Sequence, residues 1–258
     1  LTPPTPIVTQ GPVAVLTGDI IRSTALSSDR LQQARHIVLD SARVFDQQRP
    51  SGLGAGAEFF RGDAWQLVLS EPGGALRVAL LIRAQLRAAL GADSRVAIGI
   101  GGVEAIDPER TSLSLGEAFV LSGRALDKMT SYFEMTLALP EAAGVAAQWG
   151  PAMVHLCSGL VQSWTRRQAE IVACALLLDQ PTHARIAETL RPPVQKQSVT
   201  SALRGAHWRT LLEPIRAFEA TNWAAILNAR PAESSGSRIK LSSFRQSQTA
   251  VDWSVASP

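Results

Sequence analysis

The sequence predicts an α+β fold, with a sheet-forming first part in the order β-α-β-β-α-β and an all-α second part. Three observations predict it. Short β-prone runs alternate with helix-period stretches as far as Leu139, and beyond Gly159 the periodicity is helical alone. The charge balance changes with it: residues 1–150 hold 13 Lys and Arg against 15 Asp and Glu, and residues 151–230 hold 9 against 5.

Val13 to Leu16 is a short apolar run that ends in Thr17-Gly18-Asp19, as a buried strand running into a turn would. After Asp29 the apolar residues Leu31, Ala34, Ile37, Val38, Ala42 and Phe45 recur every three or four positions, which predicts an amphipathic helix. Phe59 to Arg61 and Trp65 to Leu69 bracket Gly62-Asp63, a hairpin signal. Gly73 to Ala89 predicts a second amphipathic helix, and Arg95 to Ile100 a strand running into Gly101-Gly102. This order is ferredoxin-like, two helices on an antiparallel sheet. Gly116 to Thr130 predicts a further helix and Thr136 to Leu139 a strand. Ala143 to Gly159, rich in Ala and Gly and poor in charge, is expected to hold a domain boundary. The expected division is a flexible start over 1–12, a sheet domain over 13–145, a helical domain over 160–228 and a weakly ordered tail over 229–258, whose Val251 and Trp253 could dock elsewhere.

In the second part Thr165 can cap a helix running to Leu178, with Ile171, Ala175 and Leu178 on its inner side. Asp179-Gln180-Pro181 breaks it. Thr182 caps a short helix over Ala184 to Leu190, and Pro192-Pro193 forces a turn, since two successive prolines cannot continue a helix. Gln195 to Ala206 follows, with Val199, Ala202, Leu203 and Ala206 on one face. Trp208 and Leu212 are expected to pack the continuing chain against this domain.

A short positioning helix, a turn and a second helix with a polar outer face are the parts of a helix-turn-helix. The run resembles the winged or sigma-like helix-turn-helix units of bacterial regulators, whose Thr-x-x-x-Ile-Ala-x-x-Leu pattern stands here as Thr182, Ile186, Ala187 and Leu190. The resemblance implies DNA as partner, with Thr182, Gln195, Lys196, Gln197, Ser198, Ser201 and Arg204 as contact residues. Gln and Arg suit base edges, and Lys and Ser suit phosphate oxygens. A three-helix bundle used for protein contacts is the alternative.

At 258 residues and 27.6 kDa the chain suffices for two domains. Its composition is 46% hydrophobic and 18% charged, with a mean hydropathy of +0.08. No apolar run reaches the roughly 18 to 20 residues needed to span a bilayer. The opening Leu1-Thr2-Pro3-Pro4-Thr5-Pro6 lacks a charged segment feeding an apolar core, so a cytoplasmic protein is expected. Cys157 and Cys174 lack the spacing of a zinc site or a disulfide framework and read as small buried residues.

Asp19 follows a strand and Asp63 sits in the hairpin, strands that are neighbours in a ferredoxin-like sheet, so the two carboxylates could share a divalent cation such as Mg²⁺ with a substrate phosphate. Ile20, Ile21, Arg22, Ser23 and Thr24 would add backbone N–H groups and hydroxyls suited to phosphate oxygens, and Arg61 a cation. Asp also serves simply at helix starts and turns.

Gly18 to Thr24, Arg61-Gly62-Asp63, Arg95 to Gly102 and Gly116 to Arg124 resemble, in order and spacing, the class III nucleotidyl cyclase homology domain. The short Gly-Asp-Ile-Ile-x-Ser form resembles most the SatD family, cyclase-like domains followed by a helix-turn-helix. The resemblance implies Asp19 and Asp63 as ligands of Mg²⁺ or Mn²⁺ when a nucleotide binds, Arg124 as the catalytic arginine that contacts the triphosphate, and a homodimer. Three positions depart: Phe59 and Leu113 replace the base-reading pair, and Val120 the ribose-orienting asparagine. The phosphate and metal half of the site remains. Two functions are expected from this: a DNA-binding transcriptional regulator whose cyclase-like domain binds a nucleotide or dimerises, or a metal-dependent nucleotidyl cyclase or related nucleotidyltransferase. An adaptor that binds neither DNA nor nucleotide is a third.

Overall fold

The computed structural model describes residues 11–48, 56–107, 110–178 and 181–228. The tail over 229–258, with Val251 and Trp253, and the Asp179-Gln180 break lie outside them. Five strands, β1 (Val13–Ile20), β2 (Glu58–Arg61), β3 (Ala64–Leu69), β4 (Ser94–Gly101) and β5 (Met135–Ala138), form one sheet in the order β2-β3-β1-β4-β5. The first four are antiparallel, as expected for β-α-β-β-α-β. β5 joins β4 in parallel, so the sheet is mixed.

Alternation along the strands sends side chains to two faces. Ala14, Leu16 and Ile20 of β1, Trp65, Leu67 and Leu69 of β3, and Val96, Ile98 and Ile100 of β4 enter the main core with helices α1 (Ser28–Gln48) and α2 (Ala75–Leu90). Val13, Val15 and Val68 face a smaller cluster with Ala118 of α3 (Glu117–Lys128). α3 lies directly on β4: a Cβ added at Gly99 would sit 2.4 Å from the Ala118 carbonyl oxygen and 2.6 Å from the Ser122 nitrogen. Beneath α3, Ser122 shares a 2.9 Å hydrogen bond with Thr17, to which Gln66 also donates at 3.1 Å.

Two expectations change here. The sequence predicts an amphipathic α2, yet its residues are buried around most of the helix, Arg77 and Arg83 included. The reason is a second layer. Helices α4 (Val145–Gln162), α5 (Arg166–Leu177), α6 (His183–Thr189), α7 (Lys196–Gly205), α8 (Trp208–Ala220) and α9 (Trp223–Asn228) follow the sheet, and α5 packs along α2. The stretch 143–159, expected to hold a boundary, is mostly α4, and one hydrophobic cluster runs from the sheet through α2 into α4, α5, α6, α7 and α8.

Buried ion pairs tie the layers together. The fully buried Arg83 guanidinium donates from Nε and Nη2 to both Asp93 carboxylate oxygens at 2.8 Å, from Nη2 to Glu134 at 2.5 Å, and from Nη1 to the Ser158 hydroxyl of α4 at 2.9 Å. Arg87 donates to Asp93 at 3.0 Å and to the Gln162 and Trp164 carbonyls at 2.8 and 3.2 Å. Arg77 grips Glu219 of α8 with two bonds, at 2.5 and 3.0 Å, and donates to the Leu176 carbonyl at 3.2 Å. Burial pushes the Asp93 carboxyl up, but the charge and hydrogen bonds of Arg83 outweigh it and hold the group below its usual 3.8. Glu134 moves the other way, raised by burial and then by the Asp93 charge.

Replacing Arg83 by Met leaves the buried Asp93 with Arg87 as its cation and takes the guanidinium from the part-buried Glu134, so the variant is expected to lose about 3 kcal/mol of stability at neutral pH, measured by urea unfolding. Because the Asp93 pKa is depressed in the folded state, its contribution is present above 3.8 and lost as pH falls through the folded value. The gap between wild type and variant should therefore narrow below that pH.

Candidate functional site

Two surfaces gather the residues singled out from the sequence. The first is a cleft of about 550 Å³ at the end of β1, lined by Asp19, Ile20, Ile21, Arg22, Ser23, Thr24, Asp63, Arg95, Thr130, Ser131, Phe133 and Glu134. The hairpin between β2 and β3 delivers Asp63: Gly62 takes a left-handed φ of 62°, the turn closes, and the Asp63 carbonyl accepts the Ile20 N–H at 3.3 Å. Asp19 stands opposite Ala64 of β3 and Arg95 of β4. The chain leaves β1 through Arg22, whose left-handed φ of 55° is a conformation that costs a non-glycine residue about 1–3 kcal/mol.

The structure thus brings Asp19, Asp63 and the Ile20–Thr24 turn together. It also shows what each group already holds. Arg95 clamps Asp19 with a bidentate pair, Nε to Oδ1 at 2.9 Å and Nη2 to Oδ2. The Ser23 hydroxyl donates to Asp63 Oδ2. Hydrogen bonding to Asp19 raises the Arg95 pKa against the pull of burial, and the charges of Asp19, Asp63 and Asp127 raise it further. The Ile20 N–H serves the Asp63 carbonyl and the Ile21 N–H serves the Asp93 carbonyl at 3.0 Å, so the expected phosphate role of these two amides is taken by the fold. Arg22, Ser23 and Thr24 keep their place on the cleft wall. The Arg61 side chain lies outside the described residues.

Arg124 is exposed on α3 and is not among the residues lining this cleft. Leu113 and Val120 are exposed too, while Phe59 packs under the Arg35 guanidinium, 5.1 Å from its ring centre. Among the described residues no group of three or more His, Cys, Asp and Glu is arranged to hold a metal ion. With both Asp19 oxygens bound by a guanidinium, a cation shared between Asp19 and Asp63 would compete with Arg95 for Asp19. Sequence reasoning read Arg95 only as the start of a strand. The signal lay in pairing: β1 and β4 are the antiparallel neighbours of a ferredoxin-like sheet, which sets an acid and a base face to face.

The second surface is formed by α6 and α7. The Thr165 hydroxyl accepts the Gln168 N–H at 3.2 Å and the Gln168 side chain accepts the Thr165 N–H at 2.8 Å, a capping box that starts α5. Thr182 caps α6 by accepting the Arg185 N–H at 3.1 Å. Arg191 closes α6 at its other end by donating to the carbonyls of Glu188, Thr189 and Leu190. Ile186, Ala187 and Leu190 are buried, as are Val199, Leu203 and Ala206 of the next helical stretch. Thr182, Gln195, Lys196, Gln197, Ser198, Ser201 and Arg204 are all exposed. The connection from Leu190 to Gln195 is longer than the three or four residues of a tight helix-turn-helix turn, and the Val194 N–H folds it back onto the Ala187 carbonyl at 3.1 Å. Among the described residues no strand follows β5, so the wing allowed for by the sequence is not there.

A groove of about 540 Å³ runs beside α7, lined in part by His183, Arg204, His207 and Arg209. His183 and Arg209 were not singled out from the sequence; they come from the ends of neighbouring helices that only the packing brings alongside Arg204. The Trp164 indole N–H donates to the Ala206 carbonyl at 3.0 Å and fixes the far end of α7. Trp208 is buried and Leu212 half-buried, as expected. No helix among the described residues is long and apolar enough to cross a membrane.

No family model matches the chain, and no curated protein matches it. Among solved structures the chain is similar to the crystal structure of the guanylyl cyclase Cya2, at 18% identity and a TM-score of 0.36, over 49% of this chain and 74% of that one. A likeness this loose says nothing about activity.

If Arg95 occupies Asp19 in place of a metal, calorimetric titration of the wild-type protein with Mn²⁺ should show no saturable site. The Arg95→Met variant should gain one, and Asp19→Asn in that background should abolish it. A wild-type Mn²⁺ site lost on Asp19→Asn alone would contradict the reading.

Proposed function

We propose that the protein binds DNA through α6 and α7, with α7 as the helix that lies in the major groove. One observation carries the reading. Val199 and Leu203 of α7 are buried against the body of the protein, while Gln195, Lys196, Gln197, Ser198, Ser201 and Arg204 are exposed on the outer side. Such a face matches what groove recognition needs: amide and guanidinium groups for base edges, with ammonium and hydroxyl groups for phosphates. Arg204 and Arg209 beside the groove add positive charge, in the part of the chain where basic residues exceed acidic ones.

The competing reading, a metal-dependent nucleotidyl cyclase or nucleotidyltransferase, needs a cation to compete with Arg95 for Asp19. Nothing in the cleft favours that exchange, and the reading stands or falls with the Mn²⁺ titration.

Fluorescence anisotropy with DNA fragments from around the protein's own reading frame tests the proposal. Sequence-preferring binding that weakens with salt is expected. Lys196→Ala should weaken binding to all sequences and reduce the slope of log K against log salt by about 0.9 for each phosphate left without its ammonium partner. Gln197→Ala should cost about 1–3 kcal/mol on the preferred sequence and little on others. Binding that is absent, or indifferent to salt and to both variants, would sink the proposal.

A further inference from the structure

α4 holds no Asp, Glu, Lys or Arg in eighteen residues, and Pro151 lies within it. One side packs inward through Gly150, Val154, Cys157, Ser158 and Val161. The opposite side is apolar and open: Val145 is 69% exposed, Trp149 54% and Leu156 75%, with Ala152 exposed between them. These four residues follow one another at intervals of four, three and four, the spacing of a coiled-coil seam rather than of a solvated face. Single exposed apolar residues are ordinary; a contiguous stripe on one element marks a surface that another molecule covers.

From these observations we infer that α4 pairs with α4 of a second copy of this chain, antiparallel across a two-fold axis near Gly150-Pro151. The self-complementarity of the stripe selects this occupant. Reversed against itself in that register, Val145 meets Leu156 of the other copy and Trp149 meets Ala152, so each large side chain lies over a smaller one and each layer is repeated by symmetry. A two-fold contact requires that self-matching, because the same patch serves both sides. Charge agrees with it: a helix without ionised side chains meets its own copy with no like-charge clash, whereas it offers an acidic or basic partner no opposite charge. The pairing is independent of the DNA reading.

Sedimentation of the full chain tests the pairing, with Leu156→Glu as the disrupting variant. Leu156 is open to solvent, so the variant should melt as the wild type does. A wild-type dimer is expected, with a dissociation constant raised about tenfold or more by Leu156→Glu, since two carboxylates would enter the seam. Cysteine crosslinking reads the direction: Val145→Cys combined with Leu156→Cys should form an intermolecular disulfide, while Leu156→Cys alone should not. A monomer up to the solubility limit would overturn the inference and leave the stripe to another occupant, residues 229–258 of this chain among them. A dimer indifferent to Leu156→Glu, or crosslinking by Leu156→Cys alone, would overturn it as well.

Discussion

The Arg83 guanidinium is the constraint around which the rest of the structure is arranged. An arginine with no exposed surface carries a large desolvation cost that only full hydrogen bonding offsets. Here Asp93 takes two of its bonds, Glu134 a third and Ser158 a fourth. Those partners come from the loop before β4, the approach to β5 and the middle of α4. A shift of any of the three segments takes a hydrogen-bond partner from the buried guanidinium, so the edge of the sheet and the first helix of the second layer are held to α2 together.

From Asp93 the bonding continues in two directions. Its carbonyl receives the Ile21 N–H and so fixes the turn beside Asp19. Its carboxylate also holds Arg87, which reaches the Gln162 and Trp164 carbonyls, and the Trp164 indole in turn holds the end of α7. The cleft and the exposed helix therefore rest on one polar scaffold set into one apolar core, and Arg77 bound to Glu219 adds a second tie to α8.

Local chemistry was legible in the sequence. The Gly62-Asp63 hairpin, the α1 stripe and the Thr165 and Thr182 caps each follow from a few neighbouring residues and stand where those residues place them. β1 runs past its expected end at Leu16 to Ile20, because Thr17, Gly18 and Asp19 pair with β3 and β4 on both sides instead of turning. What escaped depended on partners distant in the chain. α2 looked amphipathic because Arg77, Arg83 and Arg87 occupy positions that would ordinarily face water; the partners that bury them lie up to 142 positions away. α4 looked like a domain boundary because the stretch is rich in Ala and Gly and has no charged face to set against its apolar one. At the cleft, Asp19 and Asp63 were legible as carboxylates brought together by a strand and the neighbouring hairpin, but the Arg95 clamp was hidden in strand register, 76 positions along the chain.

The anchoring of α7 by Trp164 gives that helix a direction. Its carbonyl end is tied inward at Ala206, so the end turned to solvent is the amino end, where Gln195 provides no side-chain cap. An α-helix carries a partial positive charge of about half a proton at that end, made by aligned peptide dipoles. That charge belongs to the backbone and does not titrate. Whatever anion meets α7 meets an attraction that acid cannot remove, because it comes from peptide groups and not from a titrating side chain.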